Sequence, residues 1–472
     1  MRNLMVGLLF VSGFGWAQNV SQLADDTAKY AVKTYQHQMV EALAQMVRFK
    51  TVAVKDLPME QNPEFINYKK YVKSLSSSLG LNYQDHGYVM IITLGQSKER
   101  FGVMTHGDVQ PADATKWRKS PFELDSESEP GLLIARGTED DKGAIASALY
   151  AMKAIKDKDI KLKKTIELII YLAEESDWKP FEKFLEIYDP PLMNVTIDAE
   201  YPVVTAENGW SMIQVDVPTV NKQYFGAYIS EFGGGAFGSQ IPEDAKAVIE
   251  RADDALLGKI KGRALMHPQL KFGFDLKESV LTVTARGKSA HSSTPEDGIN
   301  AIAFLADVLS VYTWPKTTAS LSVAYINELV GTGLYAEKFG EIAYTDAFMG
   351  DMTLAPTTVK STDKGTNIFV NLRRPVGKTG EVLKTQSQAA LDQWQKQHEV
   401  ELQNVQLYFG EPLVVVDAPH VKPLLAIFSH FTGIKNPKPI SIGGSTNAKL
   451  LPSAVSFGPS MPGTEYTGHS EH

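Results

Sequence analysis

The stretch "IELIIYLAEESDW", Ile166 to Trp178, runs apolar residues almost without interruption into two adjacent glutamates. A near-continuous apolar strand belongs to a sheet covered on both faces, and such a run ordinarily closes on Gly, Asn or Pro. Here it closes on Glu174 and Glu175. Read as a strand tip, the pleat sends these neighbours to opposite faces, so they take separate tasks. One can bind metal while the other faces a substrate water as general base. The plainer alternative is a charged strand end in solvent, and the neighbouring strands decide between the two.

The same pattern recurs on both sides. "YVMIITLG" and "RFGVMTHGD" come before, with a helix expected from Gly143 to Ile155; "MNVTIDAE" comes after a helix near Trp178 to Ile187. Upstream, Ala24 to Phe49 and Pro63 to Leu79 carry helical spacing, the second closed by Gly80. Apolar strands separated by helices predict a mostly parallel sheet. From about Ser211 the pattern changes: "SMIQVDV" and "ESVLTVTARG" alternate apolar and polar residues, as an antiparallel sheet with one wet face requires. After Gly410 the α/β pattern returns, with "PHVKPLLAIFSHFTG" as a helix and "SAVSFGP" as a strand. The fold class is therefore α/β, a mostly parallel-sheet catalytic domain in two parts, 18–210 and 411–472. An inserted α+β lid domain, 211–410, interrupts it.

Composition narrows the function. The chain has 472 residues, a net charge of -8 and a hydrophobic fraction of 43%, so it can bury two or three cores. Without a basic stripe, a nucleic-acid partner is not expected. The absence of cysteine excludes disulfides, thiolate zinc sites and cysteine nucleophiles. "MRNLMVGLLFVSGFGWAQ" has one Arg, an apolar stretch from Leu4 to Val11 and small residues to Ala17, the pattern of a secretory signal peptide over 1–17. Its apolar run is too short for the ~20 residues of a membrane span. The mature chain is expected to be exported, to a periplasm or the medium, with no membrane span.

Four strand-end positions carry acids or histidine. His106 and Asp108 in "VMTHGDV" lie two apart, so both point to one face. A metal-binding imidazole commonly hands its other nitrogen to such a carboxylate. Glu139, Asp140 and Asp141 stand before a helix, where capping needs one acid and three invite a carboxylate shared between cations. Glu174 and Glu175 follow, then Asp198 and Glu200. Open α/β sheets bind ligands beyond the carboxyl ends of their strands, and carboxylates crowded there repel unless cations neutralise them. His and carboxylate ligands without Cys favour zinc, with cobalt or manganese as alternatives, and five or so ligands suggest two ions.

The motifs "THGDV", "ARGTEDDKG", "LAEES", "TIDAEYPVV", "GKSAHSSTPEDGINA", "NLRRP" and "GGSTNAKLLPSAVSFGP…GHSEH" occur in this order from about Gln38 to His472. In them the chain resembles the dinuclear zinc amidohydrolases and peptidases that include acetylornithine deacetylase and succinyl-diaminopimelate desuccinylase. Within that group it resembles the PepV-type, carnosinase-like dipeptidases. The resemblance implies that His106 and Asp198 bind one zinc, Glu175 and His469 the other, and Asp140 bridges both. It implies that Glu174 is the general base, that Asp108 orients His106, and that the Asp140–Asp141 peptide is cis. It further implies that His291 stabilises the oxyanion, Arg373 binds the substrate's C-terminal carboxylate, and Gly443 and Gly444 offer backbone N–H groups to the same end. "EFGGGAFGSQIP" resembles a lid loop, with Ser239 where relatives often carry Asn; Ala173 stands where an Asp is common.

The expected activity is metal-dependent hydrolysis of dipeptides or short peptides, with two zinc ions per chain. The long stretch from about Ser211 to His291 matches relatives with an enlarged lid, which implies a monomer. A deacylase of N-acyl amino acids, or a carboxypeptidase of the same chemistry, is the near alternative. An exported peptide-binding protein is the distant one, although binding alone has no use for Glu174 and five metal-type ligands.

Overall fold

The computed structural model describes residues 20–220, 224–415, 417–464 and 466–468. The signal-peptide segment 1–17 and the expected ligand His469 lie outside the described residues. Among the described residues, no helix is long and apolar enough to cross a membrane.

The chain opens with α1 (Gln22–Val47) and α2 (Pro63–Ser78), followed by β1 (Asn82–Asp85), β2 (Val89–Leu94) and β3 (Arg100–His106). α3 (Lys142–Asp157), β4 (Thr165–Tyr171) and β5 (Asn194–Thr196) come next. Ser21 caps α1 and Asn62 caps α2 through side-chain oxygens, each accepting an early backbone N–H of its helix. Gly80, at φ 70°, turns the chain out of α2, a conformation open to glycine without a Cβ penalty.

These elements build a nine-stranded sheet whose centre is parallel. β4 pairs with β3, β3 with β5, and β5 with the strand Ala454–Ser456, all in parallel. Antiparallel strands extend both sides, with β2 on β4 and Leu413–Val414 on Val204–Glu207. The apolar run of β4 follows from this position. Leu168 and Ile170 enter the core beneath α1, α2 and α3 with Met46, Val72 and Leu149. Ile169 and Tyr171 face the opposite layer with Phe181, Phe184 and Leu451. With both faces covered, each residue from Leu168 to Tyr171 is buried.

At Asn208 the chain leaves this sheet for an eight-stranded antiparallel one, running from Lys271–Lys277 at one edge to Gln403–Phe409 at the other. Its strand Gly209–Pro218 alternates buried and partly exposed positions along its whole length, the signature of one covered face. The covered face packs Ile213, Val215, Ile249 and Val283 against the helices Ala301–Leu309 and Thr318–Tyr325. The mixed α/β architecture expected from the sequence, with a sheet interrupted by a second sheet-and-helix layer, is thus present. It places the carboxyl ends of β3, β4 and β5 beside the loops of the second sheet.

Candidate active site

His106 is the last residue of β3 and is buried. Its Nδ1 meets the Asp108 backbone carbonyl at 3.0 Å and the Asp108 carboxylate at 3.5 Å, while its Nε2 lies 2.6 Å from Asp140 Oδ1 and 3.4 Å from Asp198 Oδ1. His106, Asp140 and Asp198 offer ligand atoms within 4.8 Å of one another, close enough to hold one metal ion. Burial alone would lower the His106 imidazole, but the Asp198 and Asp140 carboxylates outweigh it and lift it well above its ordinary value.

The three consecutive acids turn out to have three tasks. Asp140 faces His106, and its second oxygen accepts a hydrogen bond of 2.5 Å from the Tyr466 hydroxyl. Glu139 takes Ser460 Oγ at 2.6 Å and the Thr467 backbone N–H at 2.9 Å, tying down the C-terminal segment. Asp141 turns inward and accepts from the Thr105 hydroxyl. Although Asp141 stands at the N-cap of α3, its side chain makes no capping hydrogen bond. Neither capping nor a shared cation explains all three acids; two of them fasten other segments of the chain. The Asp140–Asp141 peptide is cis.

β4 ends at Tyr171, so Glu174 and Glu175 sit in a turn rather than on a strand tip. The pleat therefore does not separate them. Their backbone N–H groups both donate to the Asp108 carboxylate, at 3.0 Å and 3.1 Å, which folds the turn over the end of β3. Asp108 thereby acts on the glutamates through its side chain and on His106 mainly through its carbonyl. Glu174 Oε1 is shielded from solvent and has no hydrogen-bond partner among the described residues. Burial, with the Asp198 charge adding to it, raises the Glu174 carboxyl well above its ordinary value. Burial also pushes Asp198 up to about 6, against the pull of His106. Glu175 stands outside the His106–Asp140–Asp198 group, with its Oε2 accepting 2.8 Å from Gln110 Nε2.

The second sheet supplies the other wall. Arg373 is buried, its Nε donating to Asn371 Oδ1 at 3.1 Å and its Nη2 to Ser292 Oγ at 3.0 Å. Burial lowers its guanidinium to about 10, while the Glu174 charge holds it up, so the two share one field. Arg374, its neighbour, instead serves backbone carbonyls of Gly410 and Lys378 and pairs with Glu411. His291 lies on a short strand facing Gln240, bonds the Ser293 hydroxyl, and brings its ring within 5.8 Å of Tyr466. Gly443 passes so close to the Ser293 carbonyl that a Cβ there would stand 2.2 Å from its oxygen. The loop carrying Gly443 and Gly444 is braced by buried Glu207, which accepts from the Thr446 N–H at 2.9 Å, its hydroxyl at 2.8 Å and Ser456 at 3.1 Å. Gly468, the last described residue, takes an Arg136 hydrogen bond on its carbonyl.

Sequence reasoning did not single out Gln110, Tyr466, Glu207 or Thr105. Glu207 alone left a trace, as an acid inside the apolar run "VVTAEN". The residues present fit a divalent cation: a His/Asp/Asp set at ligand spacing, a buried unpartnered carboxylate oxygen beside it, and carboxyl groups raised by burial and mutual repulsion.

Comparison with known proteins agrees. A model described as "Peptidase family M20/M25/M40" matches residues 102–472. A Bacillus subtilis (strain 168) protein named "Putative dipeptidase YtjP" is 29% identical over 389 residues, 82% of this chain and 81% of its own. A Staphylococcus epidermidis protein named "Putative dipeptidase" is 27% identical over 465 residues, 94% of each chain. Among solved structures, human carnosine dipeptidase 1 superposes with a TM-score of 0.57 at 15% identity, covering 96% of this chain and 94% of that one.

Proposed function

The chain belongs to peptidase family M20/M25/M40, and from that premise we propose that it hydrolyses dipeptides or very short peptides. It is a peptidase, and the names of its two relatives support the narrower substrate class. One observation carries the mechanism: Glu174, with a buried unpartnered oxygen and a raised carboxyl, stands in the field of His106, Asp198 and Arg373.

His106, Asp140 and Asp198 would hold one divalent ion, and Glu175 with His469 a second, with Asp140 common to both. Zinc suits these ligands, with cobalt or manganese able to replace it. Bound there, the metal supplies a Lewis acid for the scissile carbonyl and a low-pKa water. Glu174 accepts the proton of the attacking water and returns it to the leaving amine. His291 donates to the developing oxyanion, as a preorganised donor should. Arg373 grips the substrate's C-terminal carboxylate through its planar fork, and the Gly443 and Gly444 N–H groups face the same end. Such a clamp inside a closed lid selects by length.

A panel of dipeptides and N-acetyl amino acids, assayed on the wild type and on Glu174→Ala with metal content measured, tests this. Turnover should fall by about 10²- to 10⁴-fold with the metal retained. Loss of both would make Glu174 a ligand. Turnover of N-acetyl amino acids alone would move the substrate class. No metal-dependent hydrolysis at all would leave a peptide-binding protein. We further propose export of the mature chain as a monomer, checked by the N-terminal residue of the exported protein and its mass in solution.

A further inference from the structure

We propose that Gln110 is a positioning residue that couples closure of the lid to the orientation of Glu175. This rests on the hydrolase reading above for its consequence, but its contacts stand independently of it. Gln110 follows the His106–Asp108 turn and is 7% exposed. Its Nε2 donates to Glu175 Oε2 at 2.8 Å and lies 3.3 Å from the Glu175 backbone carbonyl and 3.4 Å from Ser239 Oγ, across the cleft in the lid. An amide nitrogen has two hydrogens, so one serves the carboxylate while the other is shared between the Glu175 carbonyl and the lid.

Ser239 is itself built into the substrate wall. Its carbonyl accepts the Ser292 N–H at 2.9 Å, and the Gly238 carbonyl accepts Asn371 Nδ2 at 3.1 Å. Asn371 and Ser292 are the two partners of Arg373. A run of hydrogen bonds thus joins Arg373 to Glu175, and Gln110 is the step of that run that crosses from one sheet to the other. Six residues further on, Lys116 reaches lid residues Glu243 and Asp244, the latter at 2.9 Å. The 110–116 segment therefore touches the lid at two places.

When the lid withdraws, Gln110 loses Ser239 and its second hydrogen passes wholly to the Glu175 carbonyl, because a buried amide hydrogen left without an acceptor is costly; the amide then turns against the Glu175 carboxylate. When substrate engages Arg373 and draws the lid in, both hydrogens are satisfied and the carboxylate is held in one rotamer. Groups of this kind behind a metal ligand are worth about 10- to 100-fold in metal affinity or activity.

The test uses the full chain with Gln110→Met, Ser239→Ala and the double variant. Chelator competition with zinc and hydrogen exchange over residues 229–241 in metal-free protein need no substrate, so they decide the coupling even if no hydrolysis is found. Gln110→Met should weaken zinc binding about 10-fold and speed exchange in that segment. With dipeptide substrate, kcat should fall at nearly unchanged KM. Ser239→Ala should lower kcat/KM in the wild type and add nothing in the Gln110→Met background. Unchanged zinc affinity in Gln110→Met, or additive effects of the two substitutions, overturns the proposal. Absence of metal-dependent dipeptide hydrolysis in the wild type overturns the hydrolase reading alone. Should Gln110→Met fail to fold, Gln110→Glu, which keeps size and polarity but opposes Glu175, must give the same weakened zinc binding or the proposal falls.

Discussion

At the residue scale, identity alone did not separate neighbours with different work. Arg373 and Arg374 are adjacent and both buried, yet only Arg373 bonds Asn371 and Ser292 beside the acids. Arg374 closes a backbone turn with Gly410 and Lys378. Strand alternation predicts that they face apart, but which face is the site depends on the packing of two sheets. Arg373→Lys keeps the charge and loses the fork, so kcat/KM for free dipeptides should fall about 10- to 100-fold, chiefly through KM. Dipeptide amides, lacking the carboxylate, should show little change in the same assay. Glu139, Asp140 and Asp141 repeat the lesson, since their partners lie on segments far apart in the chain.

At the element scale, the structure moved the two glutamates from a strand tip to a turn. The Asp108 carboxylate, not the pleat, sets their backbone by accepting both N–H groups. The apolar run marked the strand correctly, because the consecutive positions Leu168 to Tyr171 are buried whichever layer they face. It did not mark where pairing ends, because that is settled by the partner strands. The loop at Gly443 is a second such case. A Cβ there would meet the Ser293 backbone carbonyl at 2.2 Å, so Gly443→Ala should hold the lid away from the catalytic sheet. Overpacking of this kind costs about 1–3 kcal/mol, which predicts a roughly 10- to 100-fold loss in kcat/KM with little change in Tm. A steady-state assay beside a thermal melt reads both, and a fall in Tm with intact kcat/KM would refute it.

At the scale of the whole molecule, the site gathers acids that the metal-free protein tolerates poorly. Asp198 stands at about 6 against an ordinary 3.8, so the folded chain keeps a proton that the unfolded chain releases. Stability of the metal-free protein should therefore fall as pH rises from about 4 through about 6. Glu174 and Asp141, both raised by burial, act in the same direction. His106, raised above 6.5, contributes favourably below that value and loses the contribution as pH rises through its folded value. Metal binding must displace these protons, so zinc should raise Tm more at pH 8 than at pH 5. Melts of metal-free and zinc-loaded protein across pH check this, and a zinc effect that shrinks with rising pH would contradict it.

The sequence by itself determined the elements and their order, because hydrophobic periodicity is a local property and each buried strand or helix face declares its own burial. It also determined that acids and histidine crowd the carboxyl ends of successive strands. Only the tertiary structure decided which of these groups meet and which side chains brace them. Tyr466 reaches Asp140 across 326 positions of chain, and Gln110 reaches Ser239 across 129. Such pairings are set by how two sheets close on one another, and no spacing within a single segment encodes that distance.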